Sequence, residues 1–195
     1  MKVSREQAAQ NREKIVAAAS RLFREHGFDG VSVADLMKEA GLTHGGFYGH
    51  FSSKEELAAE ACGRSLSRSA ESWASIAEGS KGDAFAALVS NYLSRRHSDV
   101  SGKGCALPAL GSDGARQGGD VRKALTRGLL PLVAKLEENA PARTKTARRK
   151  KALATMAGLV GAVTLARMVD DPVLSEEILR ATESELLLDI RRAKS

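Results

Sequence analysis

The chain of 195 residues predicts an all-α protein. Three observations carry that reading. Val, Ile and Thr never gather into alternating, strand-like runs, whereas Ala, Leu, Glu, Lys and Arg dominate. Apolar residues recur instead at three- and four-residue spacing, the period of a half-buried helix. Ser, Thr or Asp stands where helices should begin, and Gly or Pro where they should break.

Each element follows in order. The first helix is expected from about Ser4 to Glu25, with Ile15, Ala18, Ala19, Leu22 and Phe23 on one face and Arg12, Glu13, Arg21 and Arg24 outside. Gly27 ends it, where a left-handed cap is wanted. Ser32 with Asp35 three residues on forms a near capping box that opens a helix over Val33–Glu39. Gly41 breaks this helix, and Thr43 can cap a third that runs only to His50 or Phe51. Ser53, followed at the third position by Glu56, caps a fourth that continues toward Glu78. After Gly79, Gly82 and Asp83, the stripe Phe85, Leu88, Val89, Tyr92 and Leu93 predicts a helix to about His97. Residues 98–120 hold six glycines and one proline, with room for a short helix around Cys105–Leu110. Helices are then expected over Val121–Glu138 (bent near Gly128 and Pro131), over Arg143–Val169, and from Asp171-Pro172 to near Arg191.

Composition narrows the function classes. With 43 % apolar residues the chain can bury a real core, and its polar start, MKVSREQAAQ, does not read as a signal peptide. The longest apolar run, Ala152–Ala166, is fifteen residues, short of the ~20 needed to span a membrane, so a buried helix, no membrane and a cytoplasmic location are expected. Cys62 and Cys105 supply no disulfide framework, and His26, His44, His50 and His97 stand without carboxylates at metal-ligand spacing, so neither a metal nor a cofactor is expected. No Walker loop and no GxSxG occurs. The net charge of +6 hints at an anionic partner. Residues 1–64, however, balance nine Lys/Arg against nine Asp/Glu. The excess lies largely in Arg143–Lys151, six cations in nine positions, readable as a nucleic-acid tail or as the solvated first turns of a helix.

The stretch GLTHGGFYGHF (41–51) combines four glycines with three of the chain's eight aromatic residues. Projection at 100° per residue sends Phe47 and Phe51 inward with Leu42, onto Leu36, Met37, Leu22 and Phe23. Gly45 and Gly49 lie opposite, flanked by Gly46 and Tyr48. A helix bare on one side lies close to a surface, and a DNA major groove is about 12 Å wide. The rings give a unit of about fifty residues enough area to bury. The length and punctuation of residues 32–51 are those of a helix-turn-helix. A tight corner packed on the rest of the chain is the bland alternative.

This stretch resembles the DNA-binding domain of the TetR/AcrR transcriptional regulators. The likeness runs over about residues 9–57: Ile15, Ala18, Leu22, Phe23 and Gly27, then Val31-Ser32-Val33, Ala40-Gly41, Thr43, Gly45, Phe47, Tyr48, His50-Phe51 and Ser53-Lys54-Glu55-Glu56-Leu57. It implies a three-helix DNA-binding domain (1–52) and an all-α helical-bundle domain (53–195) for ligand binding and dimerisation. It implies a homodimer that puts each third helix into the groove of a palindromic double-stranded operator, most simply a ligand-responsive repressor rather than an enzyme. The reading left open beside it is an all-α enzyme or ligand-binding protein whose helix-turn-helix is structural only. Carried over position by position, Thr43 and Tyr48 contact phosphates, with His50 a weaker candidate, Lys54 at a helix N-terminus, and Ser32 also in the DNA-binding set. His44 and the backbone of Gly45, Gly46 and Gly49 lie nearest the bases. Tyr48 has the alternative of packing against the first helix, and His44 that of a solvated surface residue. Relatives often carry larger side chains at Gly46 and Gly49, so direct base readout is expected to be sparse.

In the second domain an unknown small-molecule effector is expected among Trp73, Phe85, Leu88, Tyr92, Cys105, Leu107, Leu110, Leu125 and Leu129, each of which is otherwise plain core. Cys105 is expected near a helix start that favours a thiolate able to sense oxidants or electrophiles; alternatively it is a small buried residue. Small residues Ala157, Gly158, Gly161 and Ala162, with Leu186, Leu187 and Ile190, are the expected dimer face, or else pack within one subunit.

Overall fold

The structure, a computed structural model, describes residues 4–94, 104–188 and 190. Helices account for its regular elements: α1 (Arg5–His26), α2 (Val33–Glu39), a 3₁₀ helix (His44–Gly49), α3 (Lys54–Gly79), α4 (Ala84–Tyr92), α5 (Ala106–Arg116), α6 (Gly119–Asn139), α7 (Lys145–Met168) and α8 (Pro172–Leu186). The expected extensions of α4 to His97 and of the last helix to Arg191 fall outside the described residues.

The helix ends obey local chemistry. The Ser4 hydroxyl accepts from the Gln7 N–H, and Ser32 and Asp35 exchange both bonds of a capping box. The Ser53 hydroxyl accepts from the Glu56 N–H to start α3, while the Ser52 N–H and hydroxyl donate to the Glu56 carboxylate at 2.8 and 2.6 Å. These bonds hold the Glu56 carboxyl below its usual range. Asp171 caps α8 with Pro172 at its first position. Gly27 leaves α1 at φ +73° and Gly41 leaves α2 near φ +70°, conformations that favour glycine.

One helix differs from expectation. The element around Cys105 runs on to Arg116 rather than stopping near Leu110, because Gly114 packs directly against Leu125 of α6: a Cβ there would collide with Leu125 Cδ1. Residues 119–139 form one helix through Pro131. Gly128 lets α6 approach α3 so closely that a Cβ would lie 2.5 Å from that of Leu66. That contact fixes the α3–α6 pair at the centre of the larger domain.

One core joins the two ends of the chain: Ile15, Phe23, Phe28, Leu36, Met37, Phe47 and Phe51 continue into Leu57, Leu66, Phe85, Leu88, Tyr92, Leu132, Leu136 and Leu159. Thr155 on α7 is fully buried, and its hydroxyl has no hydrogen-bond partner among the described residues. Thr155→Val keeps the shape and removes the desolvated hydroxyl. We expect it to raise unfolding stability by about 1 kcal/mol, read as a higher urea midpoint; a lower midpoint would show that the hydroxyl is satisfied.

The α7 helix is long and apolar enough by composition to cross a membrane, yet 39 % of its apolar window is buried in the protein. Its other side, which carries Leu153, Leu165 and Met168, is exposed.

Candidate nucleic-acid interface

The helix-turn-helix is assembled from α2, the turn at Gly41 and the 3₁₀ helix, held against α1. Phe47 is completely buried and Phe51 nearly so. Their rings lie 5.8 Å apart, and Phe23 meets Phe28 at 5.3 Å behind them. The guanidinium of Arg12 sits 4.4 Å from the centre of the Phe51 ring and pairs with Glu60 and, at 3.8 Å, with Glu56. Arg64 pairs back to Glu13, and the Ser20 hydroxyl donates to the Ala61 carbonyl. Thus the first turns of α3 belong mechanically to the helix-turn-helix unit as much as to the bundle.

On the opposite side the backbone is open. A Cβ added at Gly45 or Gly49 would meet nothing within 4 Å, and one at Gly46 would make ordinary contact with Met37 and Thr43. The bland corner reading is therefore excluded for Gly45 and Gly49. The element is a 3₁₀ rather than an α-helix. Three glycines in six residues give little α propensity, and so short a segment gains few i→i−4 bonds.

The other predicted contacts are placed as follows. Tyr48 is 69 % exposed, its ring edge-on to Phe47 at 5.3 Å, so it does not pack against α1. Thr43 precedes the 3₁₀ helix, but its side chain makes no capping bond, contrary to the expected cap, and it is exposed. His44 is exposed, and His50 and Lys54 are half-buried, Lys54 in the first turn of α3. Ser32 is exposed, yet its hydroxyl donates to the Asp35 carboxylate and accepts from the Asp35 N–H. That hydroxyl caps α2.

The predicted effector set divides. Phe85, Leu88, Tyr92, Leu107 and Leu110 are core, and Leu125 and Leu129 pack partly buried against it. Trp73 and Cys105 are core as well, and also line a polar cavity of about 180 Å³. A wider cleft of about 620 Å³ opens between α3 and α6, floored by Ala59, Gly63, Ala70 and Ala124. Cys105 departs from expectation in its electrostatics. It precedes α5 without a capping bond, and burial pushes its thiol pKa up, against smaller opposing pulls from the Leu107 backbone and the Tyr92 and Ser69 hydroxyls. A stabilised thiolate is not what this site provides. Arg24, expected outside, is half-buried and donates to the Ser65 hydroxyl. Burial lowers its pKa.

The small-residue strip also divides. Ala157 is exposed and Gly161 faces open space, but Gly158 faces Leu186 and Thr182 of α8, and Ala162, Leu187 and Ile190 are buried within the chain. Gly158 thus closes on α8 within the chain. The exposed apolar residues that sequence reasoning missed are Leu153, Leu165 and Met168 on α7, with Val173 and Leu174 on α8. The signal was present: Leu153, Ala157, Gly161 and Leu165 repeat every four residues. No group of three His, Cys, Asp or Glu side chains able to hold a metal occurs among the described residues.

With this geometry in place, comparison with known proteins is specific for the N-terminal quarter and architectural for the rest. Residues 15–61 match the family model for bacterial regulatory proteins of the tetR family. The chain is 46 % identical to the HTH-type transcriptional regulator LmrA of Bacillus subtilis over 52 residues, covering 26 % of this chain and 28 % of LmrA. It is 39 % identical to the HTH-type transcriptional regulator TtgR of Pseudomonas putida over 54 residues, 28 % of this chain and 26 % of TtgR. The aligned part thus spans little more than a quarter of either curated relative. A crystal structure of a TetR transcriptional regulator from Chloroflexus aurantiacus superposes with a TM-score of 0.79 at 23 % identity, over 95 % of this chain and 96 % of that one, and so shares the fold.

Removing one hydroxyl tests the interface. Tyr48→Phe keeps the exposed ring and its contact with Phe47, so we expect unchanged folding and a roughly tenfold weaker DNA affinity, the loss of about one hydrogen bond to a charged group. A gel-shift titration at fixed salt measures it; equal affinity would remove Tyr48 from the interface.

Proposed function

We propose that this chain, whose residues 15–61 are a tetR-family regulatory domain, is a DNA-binding transcriptional regulator working as a homodimeric, ligand-responsive repressor in the cytoplasm. The observation that carries the reading is the 3₁₀ helix: open at Gly45 and Gly49, braced from behind by Phe47 and Phe51. Thr43, His44, Tyr48 and Lys54 surround that bare strip with donors. Cations are few there, so affinity rests on phosphate contacts and groove shape more than on base edges.

We propose a division into a DNA-binding unit (1–52) and a ligand-binding and dimerisation unit (53–195), supported by the Ser53 cap that opens α3. The α3 helix is then the lever. Its first turns are clamped to α1 by Arg12–Glu60 and Arg64–Glu13, and its later turns pack on α6. A dimer must hold its two reading helices about 34–36 Å apart, one duplex turn, so a small change in lever angle releases the operator. Footprinting on DNA flanking the chain's own gene, repeated between ~50 and ~200 mM salt, tests the whole reading. Protection of a palindrome that fades steeply with salt is the expected result; no protected site at low salt would sink it.

Dimerisation through α7 and α8 is supported by the exposed stripe ending at Met168, which is 71 % exposed, and Val173, 67 % exposed. Met168→Glu puts two carboxylates into a two-fold contact. We expect about tenfold weaker self-association in sedimentation with secondary structure intact; an unchanged dimer would move the interface elsewhere.

A further inference from the structure

The cleft of about 620 Å³ is lined by residues 56–70 of α3 and 120–131 of α6. Gly118 stands over Glu55 and Gly128 over Leu66, so the two helices run parallel and one end of the cleft lies next to the helix-turn-helix. The span of α6 from Asp120 to Pro131 makes it about 16 Å long. Its floor is small and apolar, because Ala59, Gly63, Ala70, Ala124 and Gly128 leave room where larger residues would fill the groove. A Cβ added at Gly63 would meet nothing within 4 Å.

Charge is spread unevenly along this floor. Glu56, Glu60 and Asp120 stand at the end next to the helix-turn-helix, and the far end closes on Ala70 and Pro131. Asp120 is matched by Lys123 at 3.0 Å. Glu56 and Glu60, one turn apart on α3, share Arg12, which comes no closer than 3.8 Å to Glu56. The Ser52 hydroxyl and N–H hold the Glu56 carboxyl below its usual range, so it stays charged. Two carboxylates on one guanidinium leave a net negative charge at that end. Arg127, one turn beyond Lys123 along α6, is exposed to solvent.

We infer that this cleft is the effector site and that its ligand is a cationic amphiphile, with one ammonium-type charge beside Glu60 and a slim apolar body along the alanine and glycine floor. The inference rests on the reading of the chain as an effector-responsive regulator. Water leaving the floor supplies affinity, and the carboxylates select the sign of the charge. The route to the DNA-facing unit is short. Glu60 holds Arg12 of α1, and the Arg12 guanidinium lies 4.4 Å from the centre of the Phe51 ring behind the 3₁₀ helix. An ion pair exposed to this degree holds weakly, so a bound cation competes with Arg12 for the carboxylate. Filling the cleft therefore loosens the clamp between α1 and the lever α3 where the DNA-facing unit is braced.

Three probes share a ten-carbon chain and differ at one end: decyltrimethylammonium, decanol and decanoate. Each is titrated calorimetrically into the full chain, below the concentration at which it self-associates. Saturable binding of decyltrimethylammonium, at least tenfold tighter than that of decanol or decanoate, is expected. Glu60→Gln should weaken the cation at least tenfold and leave decanol unchanged. Gly63→Leu fills the floor and should weaken cation and decanol alike, with no lower unfolding midpoint, since leucine favours a helix more than glycine does. Should Gly63→Leu fail to fold, Glu60→Gln decides alone. No saturable cation binding, equal binding of decanol or decanoate, or an unchanged cation affinity in either folded variant overturns the inference. Gel shift on the duplex that footprinting protects is run on the same sample, and the cation should lower DNA affinity at least tenfold where decanol does not. Cation binding that leaves DNA affinity unchanged overturns the effector role. DNA binding without cation binding removes this ligand class and spares the DNA-binding reading. Cation binding without any DNA binding upholds the cleft as a binding site and sinks the regulator.

Discussion

Phe47→Ala is expected to cost the chain about 3–5 kcal/mol, enough to empty the DNA-facing unit of its fold. The ring is completely buried and touches both Tyr48 and Phe51. It ties the 3₁₀ helix, which packs on α2, into the common core, and the surrounding unit is too small to collapse around the gap. Whole domains are stable by only about 5–15 kcal/mol, so the DNA-facing unit should unfold locally before the bundle does. Trp73 lies in the bundle, and its emission should still report a folded environment at temperatures where amide exchange across residues 33–51 is fast. DNA binding should disappear with that exchange. If exchange stays slow and binding survives, the brace is not the aromatic pair.

The second large effect separates binding from folding. Gly45→Glu adds a side chain where the structure leaves open space, and an acid near a helix N-terminus is no burden to the fold. The unfolding midpoint should therefore hardly move. Against a duplex the same carboxylate faces phosphates at close range, where like charges cost several kcal/mol, so affinity should drop at least a hundredfold. Gly45→Ala is the steric control and should lose far less. Gel shift and thermal unfolding on the same preparations decide it: if the Gly45→Glu variant binds as well as the parent chain, the groove-facing side of the helix lies elsewhere.

These two substitutions act on features legible in the sequence. The glycine–aromatic alternation of residues 41–51 required only a helical period to separate a bare side from a braced one. That separation survives the change from an α to a 3₁₀ helix, because Phe47 is driven inward by its area whatever the turn angle. Most helix ends were legible for the same local reason: Ser32 with Asp35, Ser53 with Glu56 and Asp171 with Pro172 satisfy orphan N–H groups using residues at fixed offsets. Thr43 shows the limit, since a capping residue type was present and the capping bond was not.

What failed to be legible depended on a neighbour far away in sequence. Periodicity placed Arg24 on the polar side of α1, and nothing local announced that Ser65 and Cys105 would arrive there to make a cavity of it. Gly114 of α5 and Gly128 of α6 read as helix breakers until Leu125 and Leu66 are found against them, where a glycine is a condition of close packing. Along α7 the small-residue strip fixed an angle around the axis but not its partner, so Gly158 turned out to close on the chain's own α8 and Ala162 to be buried, while Ala157 is exposed and Gly161 faces open space. The sequence by itself determined the helices, their caps and the two-sided reading element, since those follow from short-range bonds and from the period of apolar residues. Tertiary structure alone decided the junction cavity, the exposed apolar face of α7 and the raised pKa of the Cys105 thiol, since each is set by desolvation and contact between segments that the chain order keeps apart.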